Sequence, residues 1–261
     1  ELSGILKAKM LSQGIDIYEN TSIKKITKFH KRKLQIIVSQ DNREFIIDFS
    51  HLLLTSGRVA NFEGLDLEKA GIKCTKAGIS VNSRLRTTNK RVYSAGDVIG
   101  KTMFTHSASY EAGIILRNIL FKIPAKANAS IPEVIYSSPE YASIGISETA
   151  VQDYSSINIL RWPLSENDRA VTEDEDTGLI KIITKKNGLI LGVSILSPNA
   201  ADLIVPWVLA INKKLNISSM ASLIVPYPTF SEISKRASSN FFLPKLTSKI
   251  VQKLVKILIK I

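Results

Sequence analysis

The chain has 261 residues, 44% of them hydrophobic and 22% charged, which fits one large or two modest globular domains with enough apolar material for a core. Cys74 is the single cysteine, which excludes an internal disulfide and a cysteine-only metal cluster and suits a reducing compartment. The net charge of +12 is unevenly placed and comes with no recognition-helix, RNA-recognition or zinc-finger pattern, so nucleic acid is set aside as a partner.

The opening Glu1-Leu2-Ser3-Gly4 has no basic stretch followed by an apolar run, so no secretory signal is expected, and no apolar run is long enough to span a bilayer. Residues 2–11 read as an amphipathic helix ending near Gly14, and residues 15–18 alternate like a short strand. A basic cluster of Lys24, Lys25, Lys28, Lys31, Arg32 and Lys33 reads as solvated surface. Residues 34–38 and 45–49 are strand-like and flank Asp41-Asn42-Arg43, a hairpin signal. Leu52-Leu53-Leu54 stops at Gly57 and is predicted to be a buried strand. Residues 91–97 are predicted to be another, ending in a sharp Gly96-Asp97 turn.

A helix is expected over residues 107–121, halted by Pro124. Residues 124–132 are small, polar and aperiodic, and mark a domain boundary. Strands are predicted over 133–136, 157–162, 178–184 and 189–196, the last two joined by an Asn187-Gly188 turn. The acidic cluster Glu166, Asp168, Glu173, Asp174, Glu175 and Asp176 between them reads as solvated surface. Helices follow over 200–212 and 231–239, which suggests an α+β domain with helices on one face of one sheet. After Pro244, Lys245, Lys249, Lys253, Lys256 and Lys260 fall within a narrow arc of a helix that is otherwise apolar. Such a basic amphipathic helix suits an anionic membrane surface, and equally a helix packed on its own protein or on a partner subunit.

Four segments carry a resemblance to a known family. Leu52 to Asn61 looks like an apolar strand followed by G-R-x-P-N, with Ala60 where proline is usual. Thr87 to Asp97 resembles a flavin fingerprint, an apolar stretch ending in A-x-G-D. Gly96 lets backbone approach a ligand closely, and the Asp97 carboxylate can accept hydrogen bonds from ribityl hydroxyls. A tight turn with Asp97 capping the next element is the alternative. Phe104 to Gly113 resembles a helix start beneath a flavin ring, where backbone N–H groups favour negative charge. Thr105 is alternatively a simple N-cap and His106 an ordinary surface or packing histidine. Ile131 to Gly145, the 178–193 hairpin and Pro226-Tyr227-Pro228-Thr229-Phe230-Ser231-Glu232 are similar to a dimerisation domain whose motif is H-P-T-x-x-E, with Tyr227 at the histidine position.

Together these segments resemble the carboxy-terminal half of a flavin-dependent pyridine nucleotide–disulfide oxidoreductase, the family of dihydrolipoamide dehydrogenase, glutathione reductase and mercuric reductase. The resemblance covers the chain to about Asn240. It implies an α/β plus α+β architecture: residues 1–56 as the tail of an NAD(P)-binding domain, 57–123 as part of an FAD-binding domain, 131–240 as a dimerisation domain, and 241–261 as the basic tail helix. It implies FAD and NAD(P)H as cofactors, with Gly96, Asp97, Met103, Phe104, Thr105 and His106 at the flavin. Tyr227 and Glu232 would face substrate across a homodimer, with Glu232 orienting the phenol. A phenol with a pKa near 10 is a poor base where the family uses histidine, and Tyr227 reads equally as an interface tyrosine with a satisfied hydroxyl.

The chain lacks both G-x-G-x-x-G turns and the C-x4-C pair, so flavin and nicotinamide binding would need an N-terminal half, whether or not that half is a separate polypeptide. Cys74 reads as a small core or surface residue, and His30 and His51 as structural, having no partners at ligand spacing. The expected location is cytoplasmic, peripheral at a membrane if the tail engages lipid. A dimerisation or membrane-associated scaffold without redox chemistry is the alternative function.

Overall fold

The computed structural model of the protein describes residues 1–29 and 33–259. Lys31 and Arg32 of the basic cluster, the histidine His30, and Lys260 of the tail lie outside the described residues. Helix α1 (Leu2–Ser12) opens the chain and ends where Gly14, at φ 83°, donates its N–H to the Leu11 carbonyl. The chain divides into two compact units, one of Leu11–Ala127 and one of Glu1–Met10 with Asn128–Ile261.

The Leu11–Ala127 unit contains an antiparallel meander, β1 (Thr21–Phe29), β2 (Lys33–Gln40) and β3 (Arg43–Phe49), paired in that order. Gln40 pairs with Arg43, so the turn consists of Asp41 and Asn42, both at positive φ. Two successive positive-φ residues match the right-handed twist of the flanking strands. In β3 the half-buried residues Phe45, Ile47 and Phe49 alternate with exposed neighbours, which follows from the two-residue period of a strand. β1 was not expected. Its exposed Lys24, Lys25 and Lys28 read as a charge cluster, yet the segment pairs with β2 from Thr21 to Phe29, with a bulge at Lys24.

Three predicted strands do not form. Residues 15–18 are irregular, and so are Leu52, Leu53 and Leu54, which are exposed. Over residues 91–97 the chain leaves a turn, makes one strand-like contact, an isolated bridge between Tyr93 and Arg86, and enters a 3₁₀ turn at Gly96. A buried parallel strand needs hydrogen-bonded neighbours on its edges, and among the described residues no strand lies beside any of the three. The apolar pattern is present; its pairing partners are not. Beyond residue 95 the chain turns through a 3₁₀ segment, Gly96–Ile99, and enters α2 (Thr105–Ile119), which packs Ile114 against Leu85, Ile99 and Ala125.

The other unit is built on a five-stranded antiparallel sheet ordered β4-β5-β8-β7-β6. Its strands are β4 (Glu133–Ile135), β5 (Glu140–Gly145), β6 (Ile157–Pro163), β7 (Leu179–Lys185) and β8 (Ile190–Ser197). The β7–β8 connection turns at Gly188, φ 88°, as the Asn187-Gly188 pair predicts. Short helix α3 (Asp168–Thr172) lies between β6 and β7. The predicted helix over 200–212 is two helices, α4 (Ala200–Leu203) and α5 (Val205–Asn212), broken at Ile204 ahead of Pro206, whose ring nitrogen has no proton for a helical bond. α6 (Ile217–Ala221) and α7 (Glu232–Ser239) follow. Ile180, Ile182, Val193 and Ile195 on one face of the sheet pack with Trp207, Ile204, Ala210, Ile217 and Ile233 in one core.

Helices were expected on one face only; α1 covers the other. Leu2 is buried with Leu179 and Leu196, alongside Ile5, Leu6 and Tyr141. On that face Lys181, 8% exposed, is paired with Glu148 and lies 2.5 Å from Glu1, whose carboxylate also takes the Arg161 Nε–H at 2.9 Å. A buried ammonium without such partners would cost several kcal/mol, so the two carboxylates are what permit a lysine at an inward position of β7.

The tail is not the single helix expected. α8 (Leu243–Leu246) ends at Thr247, and α9 (Lys249–Leu258) restarts with Ser248 as its N-cap. No described helix is long and apolar enough to cross a membrane.

Candidate functional site

The candidate site residues fall into two groups, one in each unit. In the Leu11–Ala127 unit, the chain from Ser94 to His106 wraps onto the start of α2. Gly96 sits at φ 76°, where a side chain is strained, and a Cβ there would come 3.1 Å from the Ala108 Cβ. Its backbone N–H donates to Glu111 Oε2 at 2.7 Å. Glu111 therefore holds the turn that presents Asp97. Nothing in the sequence marks Glu111 for this role, because its partner is a backbone N–H fifteen positions away.

Asp97 does not cap the next element: Ala95 occupies the N-cap position of the 3₁₀ turn, with no side-chain bond. The Asp97 carboxylate is about half exposed and accepts from Arg58 Nη1 at 3.3 Å. Arg58 belongs to the Gly57-Arg58-Val59-Ala60-Asn61 motif, so two of the quoted segments meet here. Met103 and Phe104 are half-buried, and Thr105 and His106 are exposed. The Phe104 and His106 rings stack at 5.1 Å. Phe104, not Thr105, is the N-cap residue of α2, and no side chain caps it. A helix of this length carries partial positive charge at that end.

This donor set fits a flavin in part. A half-exposed carboxylate can accept from the hydroxyls of a ribityl arm, and a helix N-terminus favours an electron-rich ring edge. The glycine-rich turn that would hold a pyrophosphate is not in this chain.

In the other unit, Tyr227 is exposed and donates its hydroxyl to Asp168 Oδ2 at 2.9 Å. The expected orienting group, Glu232, is not the acceptor; it begins α7, with its carboxylate 3.9 Å from Arg236. Asp168 was read only as part of an acidic surface cluster. Its placement comes from the buried Asn167, whose side chain accepts from the Ala170 N–H and donates to the Thr229 carbonyl at 3.0 Å. Asn167 thereby ties the start of α3 to the Pro226–Ser231 loop.

The hydrogen bond to Asp168, followed by that carboxylate's charge, raises the phenol above its ordinary value. Loss of the proton would set a phenolate against a carboxylate, so the contact holds at neutral pH and fails as pH rises through the raised value. The phenolate absorbance removed by Tyr227→Phe is therefore expected to titrate above the usual tyrosine pKa of about 10. Asp168→Asn should bring it back down. A titration unchanged by Asp168→Asn would show that the contact is not kept in solution.

Two family descriptions match the chain: pyridine nucleotide-disulphide oxidoreductase over residues 1–112, and the dimerisation domain of the same family over residues 131–238. A dihydrolipoyl dehydrogenase of Geobacillus stearothermophilus is 29% identical over 242 residues, covering 91% of this chain and 51% of that protein. A mercuric reductase of Staphylococcus aureus is 29% identical over 245 residues, covering 92% of this chain and 45% of that protein. The structure of the HOCl-induced flavoprotein disulfide reductase RclA from Escherichia coli superposes with a TM-score of 0.82 at 23% identity, over 91% of this chain and 55% of that one. The chain spans about half the length of the curated relatives it matches. With both family descriptions matched in order along it, and the fold shared with a flavoprotein disulfide reductase, the chain belongs to the pyridine nucleotide-disulphide oxidoreductase family.

Proposed function

We propose that this chain is the C-terminal portion of an FAD- and NAD(P)H-dependent oxidoreductase, contributing flavin contacts and a homodimer interface. The observation that carries the reading is the Asp97 carboxylate, presented by a left-handed Gly96 turn packed against the first turns of α2 and left half exposed. FAD, when bound, would supply the hydride and electron relay that no side chain of this chain can provide. The chain's own part is to hold the ribityl arm through Asp97 and to place the α2 N-terminus, through Met103, Phe104, Thr105 and His106, at the electron-rich edge.

Tyr227, with Glu232 behind it on α7, would line the substrate side. Because its proton is committed to Asp168, Tyr227 acts as a hydrogen-bonding and positioning group and not as a base. The homodimer reading is supported by exposed apolar residues of the C-terminal unit, Val205, Leu209 and Ile224 among them. The division at residues 1–56, 57–123, 131–240 and 241–261 is kept as part of this proposal.

The test is purification of the native polypeptide that contains this chain. It is expected to show flavin absorbance, to release FAD on denaturation, and to oxidise NADH or NADPH. A colourless native protein that oxidises neither would favour the scaffold reading instead.

A further inference from the structure

The tail beyond Phe242 takes no part in the flavin or substrate groups, and its two faces differ sharply. On α9, Lys249, Lys253 and Lys256 are exposed and share one side of the helix, since successive offsets of four and three residues return to the same face. The opposite side carries Leu258 at its centre with Val255 beside it, while Ile257 and Ile259 lie toward its two borders, Ile257 next to Lys253. These four are 58%, 44%, 60% and 79% exposed. Leu243 and Leu246 of α8 add 50% and 60% exposed leucines just before it. Apolar residues exposed to this degree at the centre of a helix face are not packed on this chain's own core.

Residues 241–261 contain no aspartate or glutamate. A second copy of the tail, paired through the apolar side, would leave the lysines without an opposite charge, whereas a surface of anionic headgroups over hydrocarbon complements both faces at once. The geometry also limits the mode of binding. Ten residues of helix extend about 15 Å against a hydrocarbon core of about 30 Å, so α9 can lie in the interface but not cross it. The break at Thr247-Ser248, with the Ser248 side chain capping α9, makes α9 a helix of its own, able to lie flat.

We propose that α9, with the exposed leucines of α8, docks the protein peripherally on anionic lipid membranes, lysines toward the headgroups and the Leu258 face in the acyl boundary. This is independent of whether the chain binds flavin.

The test is flotation of the 261-residue chain with phosphatidylcholine vesicles, and with vesicles in which about a third of the lipid is phosphatidylserine. The chain should float with the second and not the first, and rising salt should release it. Substituting Lys249→Glu, Lys253→Glu and Lys256→Glu together should lower partitioning at least about 100-fold, from the loss of three headgroup-facing charges. Leu258→Asp alone should abolish flotation through the apolar face while leaving every lysine in place. All four positions are exposed, so neither variant touches the core, and the oligomeric mass in solution should stay the same. Failure of the unsubstituted chain to float with the phosphatidylserine vesicles overturns the proposal. So does flotation that survives either set of substitutions, or a change of oligomeric mass with Leu258→Asp, which would make this face a contact between copies.

Discussion

Asp97→Ala is expected to weaken FAD retention by the native polypeptide about 100-fold while leaving its fold intact. The magnitude follows from the bonds lost: hydrogen bonds to an ionised acceptor are worth about 1.5–3 kcal/mol each, and a ribityl arm offers the carboxylate one or two of them. The fold is spared because the present partner of Asp97 is weak. Arg58 and Asp97 are 71% and 48% exposed, and ion pairs of that kind contribute about 0–1 kcal/mol. Arg58→Ala should accordingly leave the unfolding midpoint within error. Glu111→Gln should act on FAD only indirectly, by loosening the Gly96 N–H contact that sets the turn. Fluorescence titration of the apoprotein with FAD measures all three variants. If Asp97→Ala binds FAD as the unsubstituted protein does, the carboxylate does not face the cofactor and the assignment of the Gly96–Asp97 turn fails.

A second large effect is expected at Trp207. It is fully buried in the core between the five-stranded sheet and its helices, and its indole N–H donates to Ser234 Oγ at 3.1 Å. Trp207→Ala removes the largest fully buried side chain and should destabilise the C-terminal unit by about 3–5 kcal/mol. Leaving the buried Ser234 hydroxyl without its donor adds about 1 kcal/mol. Against a domain stability of about 5–15 kcal/mol, that is enough to unfold a large share of molecules on modest warming. Trp207→Phe keeps most of the volume and should cost less than half as much. Urea unfolding, followed by circular dichroism or by the remaining Trp162, reads the midpoint; an unchanged slope would show that only stability moved. A Trp207→Ala midpoint close to the unsubstituted one would mean that this core is not packed around the indole.

What the amino-acid order determined by itself is the set of contacts that are local or periodic. Gly14 ends α1, Asp41-Asn42 and Asn187-Gly188 turn their hairpins, and alternating or continuous apolar residues mark β3, β7 and β8. Each depends on a few neighbouring residues, so the signal and the structure occupy the same stretch of chain. The family motifs are equally local, which is why Gly96, Asp97 and Tyr227 stand out before any fold is known.

Tertiary structure decided the rest, because pairing partners are not neighbours in sequence. Leu52-Leu53-Leu54 has a strand's composition, yet stays irregular without a neighbouring strand, while lysine-rich β1 becomes a strand because β2 offers a free edge. Pro206 divides one periodic apolar run into two helices. Tyr227 is held by Asp168, 59 positions away, because the buried Asn167 ties two loops together. A hydrogen bond between side chains depends on where the backbone brings them, and a carboxylate on the surface of the sequence carries no mark of which hydroxyl it will meet.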